Sequence, residues 1–368
     1  MSVSHCRVFY ECRFVLSGLI ESAVTVCNAY NAGAVSDGGA RNRDLFSIFT
    51  VRMRDFTHLS TSYPPKRCIA MKVALFQQDI VWCSPQENMR RAETALAEAL
   101  GRGEGDSSNN GNRRADDLSI SEVLAFQTPS KIGPDGVGRV DLIVLPEMFT
   151  TGFCVDPSHT ADVIDDGAAA VAWMRRMSVR YDAAVTGSVA VTDGGRYFNR
   201  MYFVRPDGCV EYYDKRHLFA MGGEADHYTA GRRRVVVEWR GVRILLQVCY
   251  DLRFPVFARS RGDYDMIVYA ANWPTPRIAV WDTLLRARAI ENQCYVAGVN
   301  RVGSDPWCSY CGHTALIDPY GRDTAVCPEE ETVVIGGIDM DFLRAFRKKV
   351  PVLDARDMWA ADTSWSDR

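Results

Sequence analysis

From Met71 onward the chain repeats two hydrophobic patterns. Short apolar runs end in a polar or turn-forming residue before they reach helix length, and between them lie segments whose apolar positions return every three or four residues. The runs predict strands: "KVALFQQ" from Lys72, "VDLIVLPE" from Val140, "AAVTGSVAV" from Ala183, "RYFNRMYFVRPDG" from Arg196 and "RRVVVEWRGVRILLQVCYD" from Arg233. "MIVYAANWP", "QCYVAGVNRVG" and "GHTALIDPYG" continue the series. The periodic segments predict helices: "SPQENMRRAETALAEAL", "GAAAVAWMRRMSVRY" and "AVWDTLLRARAIENQ", whose apolar stripes read as core packing. In the first, Ser84 stands at the N-cap, Pro85 at the first helical position and Glu87 in the capping-box position. Strands interleaved with helices over about 280 residues predict one layered α/β domain.

Three segments fall outside that pattern. Residues 1–70 are an amino-terminal extension with one apolar stretch, "FVLSGLIESAVTVCNAY", and a Gly/Asn/Asp-rich stretch after it. It carries eight Lys or Arg against five Asp or Glu, a mixture that counts against a mitochondrial leader. An extension upstream of a start at Met71 is the other reading. Residues 101–137, with "GRGEGDSSNNGNRR" and "TPSKIGPDGVG" around the short helix candidate "ISEVLAFQ", read as a surface insertion in a domain spanning 71–358, and 359–368 as a tail.

Composition narrows the function. Forty-three basic and forty-six acidic residues give a net charge of -3, and no basic-aromatic ladder is present, so a small-molecule substrate is expected rather than nucleic acid. No apolar run is long enough to cross a bilayer as a helix. Twelve cysteines are scattered without a disulfide framework, which fits a reducing, cytoplasmic setting. Cys308 and Cys311 form one C-x-x-C with no second pair at zinc spacing, so ordinary free thiols are expected, with no metal and no cofactor. Neither G-x-G-x-x-G nor a P-loop is present, and the Arg232–Arg234 run reads as a solvated turn.

Chemistry gathers at three strand ends: "LIVLPEMFTTGF" with Glu147, "YYDKRHLF" with Lys215, and "ILLQVCYDLRFP" with Cys249. Each residue alone has an ordinary reading, as a capping carboxylate, a surface ion pair and a core thiol. The blocks around them change the weighting. With "ANWP", Arg277 and "RAIENQ-YVAGVNRVGSD", the sequence from Met71 to Met358 resembles the nitrilase, or carbon-nitrogen hydrolase, superfamily, and within it the ω-amidase branch.

The resemblance implies a four-layer α-β-β-α sandwich, a homodimer, and a catalytic triad of Glu147 as base and acid, Lys215 as transition-state donor and Cys249 as nucleophile. It places a second glutamate at Glu224, seven residues before Gly231, and the backbone N–H of Tyr250 in the oxyanion hole. A free thiol near neutrality needs a base to become a nucleophile, and the developing oxyanion needs fixed donors, so these residue types suit acyl transfer. The neighbouring His217 and His227 raise a His–Cys alternative, but sequence proximity does not turn either toward Cys249. Ser188 lacks the G-x-S-x-G elbow, and no H-E-x-x-H set is present.

The implied reaction is hydrolysis of the terminal amide of 2-oxoglutaramate or 2-oxosuccinamate, with water as co-substrate. Arg277 is the preferred reader of the substrate carboxylate. Arg253 divides between that task and an ion pair with Asp251 or Glu291. Phe153, Trp273 and Tyr250 are candidates for an apolar wall. Two alternatives stay open: a related amidase, nitrilase or N-carbamoyl hydrolase with another substrate, and a noncatalytic binding protein of the same fold.

Overall fold

Strand β1 (Met71–Gln77) lies at the middle of a division of labour set by its alternating side chains. Val73 and Leu75 point into one apolar cluster, while Ala74 and Phe76 point into another, as a period of two requires of a strand buried on both faces. Residues 71–101, 139–160 and 165–356 are described by a computed structural model. The extension before Met71, nearly all of the 101–137 insertion with its helix candidate, and the 359–368 tail lie outside the described residues.

The first sheet has six strands in the order β14-β1-β2-β3-β4-β5. They are β2 (Leu142–Val144), β3 (Ala184–Asp193), β4 (Arg196–Val204), β5 (Val210–Asp214) and, returning late, β14 (Thr332–Ile338). The second sheet, also six-stranded, runs β13-β12-β9-β8-β7-β6. Its strands are β6 (Val236–Trp239), β7 (Val242–Val248), β8 (Met266–Ala271), β9 (Tyr295–Asn300), β12 (Ala315–Ile317) and β13 (Asp323–Val326). A hairpin, β10 (Val302–Ser304) and β11 (Ser309–Cys311), stands apart from both. Each large sheet has a parallel centre, β1-β2-β3 in one and β7-β8-β9 in the other, with antiparallel strands outside it.

The two sheets pack face to face. Val73, Leu142, Val144 and Phe203 of the first meet Ile244, Leu246, Val248 and Val268 of the second in one cluster. The outer face of the first sheet takes helices α1 (Pro85–Leu100) and α2 (Ala168–Tyr181) through Met89, Leu96, Trp173 and Met177. The outer face of the second takes α5 (Ile278–Asn292) through Trp281, Leu285 and Ala289. This is the α-β-β-α sandwich that the family resemblance implies.

The predicted capping box at α1 does not form. Ser84 donates its hydroxyl to the Trp82 carbonyl at 3.1 Å, and Glu87 pairs with Arg90 one turn on. The helix start is instead anchored by buried Asn88, whose Oδ1 accepts from Val81 N and whose Nδ2 donates to the carbonyls of Val81 and Thr150. That last bond ties α1 to the loop that follows Glu147.

Elements without a clear sequence signal include β11, β13, β14 and helix α6 (Met340–Lys349). β14 pairs with the whole of β1, from Met71 opposite Ile338 to Gln77 opposite Thr332. Its "GG" disguises it. A side chain at Gly336 would start 2.5 Å from the Leu316 methyl, so the packing of one sheet on the other demands a glycine inside a strand.

A second close approach fixes the end of β5. A Cβ on Gly231 would lie 2.0 Å from the Asp214 carbonyl oxygen, and Gly231 N donates to Lys215 O at 2.9 Å. Gly231→Ala is therefore expected to push the Lys215 segment away and cost about 1–3 kcal/mol. Denaturant unfolding measures it; a loss below about 0.5 kcal/mol would show that this contact does not fix the strand end.

Candidate active site

Parallel strands of a layered α/β protein open their carboxyl ends onto a crevice. Glu147 lies just past β2, Lys215 just past β5, Cys249 just past β7 and Asn272 just past β8. All four line one cavity of about 270 Å³. Glu147 and Lys215 are buried, 0% and 1% exposed. Cys249 is half-buried and begins a 3-10 turn with φ at 44°, a left-handed conformation that turns the chain sharply out of the strand.

Lys215 Nζ donates to Glu147 Oε1 at 2.9 Å and to both oxygens of Glu224, at 3.0 and 2.8 Å. Glu224 opens the short helix α3 (Glu224–His227) and also accepts from Phe219 N at 2.6 Å. Asn199, inside β4, donates through Nδ2 to Glu147 Oε1 at 2.8 Å and Glu224 Oε1 at 3.1 Å. Asn272 N donates to Glu147 Oε2 at 2.9 Å, and Asn272 Nδ2 to the Glu147 carbonyl.

Two carboxylates, one ammonium and one thiol share this enclosure. Burial works against the Lys215 charge, but Glu147 and Glu224 outweigh it and hold the ammonium above its ordinary range. Burial and the Glu147 charge raise the Glu224 carboxyl, with Lys215 pulling the other way. Burial first, then the Glu147 charge, push the Cys249 thiol well above its ordinary range, and Lys215 offsets only part of this. The Cys249 thiol is thus held protonated beside a carboxylate, an arrangement that can serve removal of its proton.

Beneath the site Asp251 is fully buried and joins two of these strand ends. Its Oδ2 accepts from Val248 N at 3.0 Å and Tyr213 Oη at 2.8 Å, while its Oδ1 accepts from His217 N and contacts His217 Nδ1 at 2.7 Å. His217 is stacked on Phe254 with ring centroids 3.9 Å apart. The His–Cys arrangement is absent here: His217 is spent on Asp251. His227 has its Nδ1 3.9 Å from Asp156, and neither histidine lines the cavity.

The remaining candidates fall on the cavity wall. Tyr250 follows Cys249 in the 3-10 turn, where the leading N–H groups have no intrahelical acceptor. Phe153 lies under Lys215 Nζ, 5.5 Å from the ring centroid. Arg253 does not pair with Asp251 or Glu291. Asp251 is taken by Tyr213 and His217, and Glu291 by Arg288, which also holds the Leu252 carbonyl. The Arg253 guanidinium instead lies over Trp273, 5.1 Å from the centroid, and Arg277 lies over Phe219 at 5.2 Å. Trp273, Arg253 and Arg277 all face the cavity, as does Cys308, which is a free thiol like Cys311.

Asn199, like Asn272, is a site residue to which motif reading gave no role. Its signal is a polar side chain at a buried position of the apolar run "RYFNRMYFV". Among the described residues no group of three or more His, Cys, Asp or Glu could hold a metal ion. No helix among them is long and apolar enough to cross a membrane.

A family model described as carbon-nitrogen hydrolase matches residues 72–348. The chain belongs to the carbon-nitrogen hydrolase family. An ω-amidase, YafV, from Yersinia enterocolitica is 40% identical over 293 residues, covering 78% of this chain and 97% of the relative. A 2-oxoglutaramate amidase from Bacillus subtilis is 37% identical over 221 residues, covering 59% of this chain and 85% of the relative. The crystal structure of XC1258 from Xanthomonas campestris, a carbon-nitrogen hydrolase superfamily protein, aligns with a TM-score of 0.66 and 38% identity over 78% of this chain and 97% of that one. The protein is thus a cysteine-dependent carbon-nitrogen hydrolase, similar to the ω-amidase branch.

In this hydrolase the ammonium is what allows two carboxylates to share one buried enclosure. Lys215→Met is expected to cost about 3–5 kcal/mol near neutral pH, because it leaves Glu147 and Glu224 facing each other uncompensated. One carboxyl then takes a proton with its folded-state pKa raised above the unfolded value of about 4.3. The stability tied to that proton is present at low pH and lost as pH rises through the raised pKa. Thermal unfolding should show a smaller deficit relative to wild type at about pH 5 than at about pH 8. A deficit independent of pH would contradict the coupling.

Proposed function

We propose that this protein is an ω-amidase that hydrolyses the terminal amide of a short 2-oxo dicarboxylate monoamide, 2-oxoglutaramate or 2-oxosuccinamate. The observation that carries the reading is one small cavity in which Glu147, Lys215 and Cys249 meet at one end and Arg253 and Arg277, with no carboxylate partner among the described residues, face the same space. The names of the ω-amidase and 2-oxoglutaramate amidase relatives support the same substrate class. A substrate of about ten non-hydrogen atoms suits a cavity of this size.

In this reading Glu147 takes the Cys249 proton as sulfur attacks the amide carbon. Lys215 Nζ and the Tyr250 N–H stabilise the oxyanion. The proton passes to the departing nitrogen, the C–N bond breaks, and ammonia leaves a thioester. Water then gives a proton to Glu147 as it attacks the thioester, and Glu147 returns it to the departing sulfur. These steps balance with water as the only co-reactant. Glu224 positions Lys215. Arg277 and Arg253 hold the carboxylate at the far end, and Phe153 and Trp273 form an apolar wall that limits water. A cytoplasmic homodimer belongs to the same proposal; the free state of the described cysteines supports a reducing setting.

Ammonia release from 2-oxoglutaramate, with glutamine and the Cys249→Ala variant alongside, tests the reading. The expected result is release from the keto amide at least about 10²-fold faster than from glutamine and none from Cys249→Ala. Equal or faster release from glutamine would remove the substrate assignment.

A further inference from the structure

The two oxygens of Glu147 are not equivalent. Oε1 accepts from Lys215 Nζ at 2.9 Å and from Asn199 Nδ2 at 2.8 Å, while Oε2 accepts one backbone bond, from Asn272 N at 2.9 Å. An ionised carboxylate oxygen offers about two lone-pair sites, so Oε1 is occupied and Oε2 keeps one site free. Glu224 has none to spare. Its Oε1 accepts from Lys215 and Asn199, and its Oε2 from Lys215 and Phe219 N.

We infer that Asn199 is a positioning residue of the hydrolytic site, which fills Glu147 Oε1 beside Lys215 and so assigns proton transfer to Glu147 Oε2. The inference rests on the reading of Glu147 as the base. Each hydrogen of the Asn199 amide nitrogen goes to a different carboxylate, Glu147 and Glu224. The reversed amide would set its oxygen against two carboxylates, so the electrostatics fix its orientation. The Asn199 side-chain Oδ1 is left buried without a hydrogen-bond partner, a standing cost that accompanies keeping both donors on the carboxylates.

The bookkeeping of the proton follows. In acylation the Cys249 S–H bond breaks, its proton joins Oε2, the S–C bond forms and the carbonyl electron pair moves to oxygen. Oε2 then protonates the departing nitrogen as the C–N bond breaks. In deacylation a water proton joins Oε2 as the water oxygen bonds to carbon, and Oε2 returns it to sulfur as the C–S bond breaks. Because Oε1 stays tied to Lys215 and Asn199 throughout, the carboxylate does not rotate between the two halves.

The charged and titratable groups facing Glu147 are Lys215 from the end of β5, Glu224 from α3, Tyr228 just after α3 and Cys249 from the end of β7. Asn199 from β4 and Asn272 from the end of β8 face it with neutral donors, and Arg253 and Arg277 stand across the same cavity. Among these, Asn199 is the neutral side-chain donor shared by both carboxylates. Removing it leaves Lys215 as the side chain that donates to both carboxylates, and a carboxylate pair with one donor fewer favours the neutral acid form.

The test compares kcat and KM for 2-oxoglutaramate across about pH 5 to 9 in the full chain as wild type, Glu147→Gln, Asn199→Ala and Asn199→Asp. Glu147→Gln should abolish turnover; if it does not, the base assignment and this inference both fall. With that control inactive, Asn199→Ala should lower kcat about 10²-fold with KM within about threefold. It should also move the acid limb of kcat/KM upward by about one pH unit, the loss of one hydrogen bond to a charged group. Asn199→Asp, equal in volume, decides the matter if Asn199→Ala does not fold: a third carboxyl group should move the limb further in the same direction. An acid limb left at the wild-type position in the folded variants, whether activity falls or not, would make Asn199 merely structural and overturn the inference.

Discussion

The site depends on one buried ammonium. Lys215, 1% exposed, donates three hydrogen bonds to two buried carboxylates, and without it Glu147 and Glu224 would face each other uncompensated. Two carboxylates against one ammonium leave the cluster with a formal excess of one negative charge. Burial, and then that excess negative charge, raise the Cys249 thiol instead of lowering it, so in the proposed mechanism Cys249 waits as a thiol and depends on Glu147 at the moment of attack.

Much of the fold serves to bring these groups to one place. Glu147 and Lys215 come from the first sheet and Cys249 from the second, so the sandwich must hold its two layers in register for the site to exist. The shared core of Leu75, Val144, Leu246 and Val268 does this broadly. Asp251 does it locally, by joining the Val248 backbone in the second sheet to Tyr213 and His217 beside Lys215. Gly231 lets a neighbouring segment press against the β5 backbone and receive the Lys215 carbonyl.

What was legible in the sequence follows from the range over which each signal acts. The central strands are buried on both faces and read as apolar runs, and α1, α2 and α5 carry their buried stripes at helical spacing. Glu147, Lys215 and Cys249 stood out through the blocks around them. Long-range contacts were less visible. β14 hides behind a glycine pair, of which Gly336 packs against Leu316 on the other sheet, and Ser84 looks like a cap although Asn88 anchors the helix start. The Asp251 network could not be seen either, since its partners lie 34 and 38 residues away in the chain and displace the arginine pairing suggested by local order. Asn199 was visible only as a polar residue at an apolar position; the two carboxylates that explain it come from other elements.

The central claim is that one base, Glu147, and one nucleophile, Cys249, form and resolve a covalent acyl intermediate. Rapid quenching of the enzyme during turnover of 2-oxoglutaramate, followed by peptide mass spectrometry, tests it most directly. The account predicts an acyl group on the Cys249 peptide in wild type, cleared as substrate runs out and absent in Cys249→Ala. An adduct on another cysteine such as Cys308, or turnover persisting in Cys249→Ala, would contradict it.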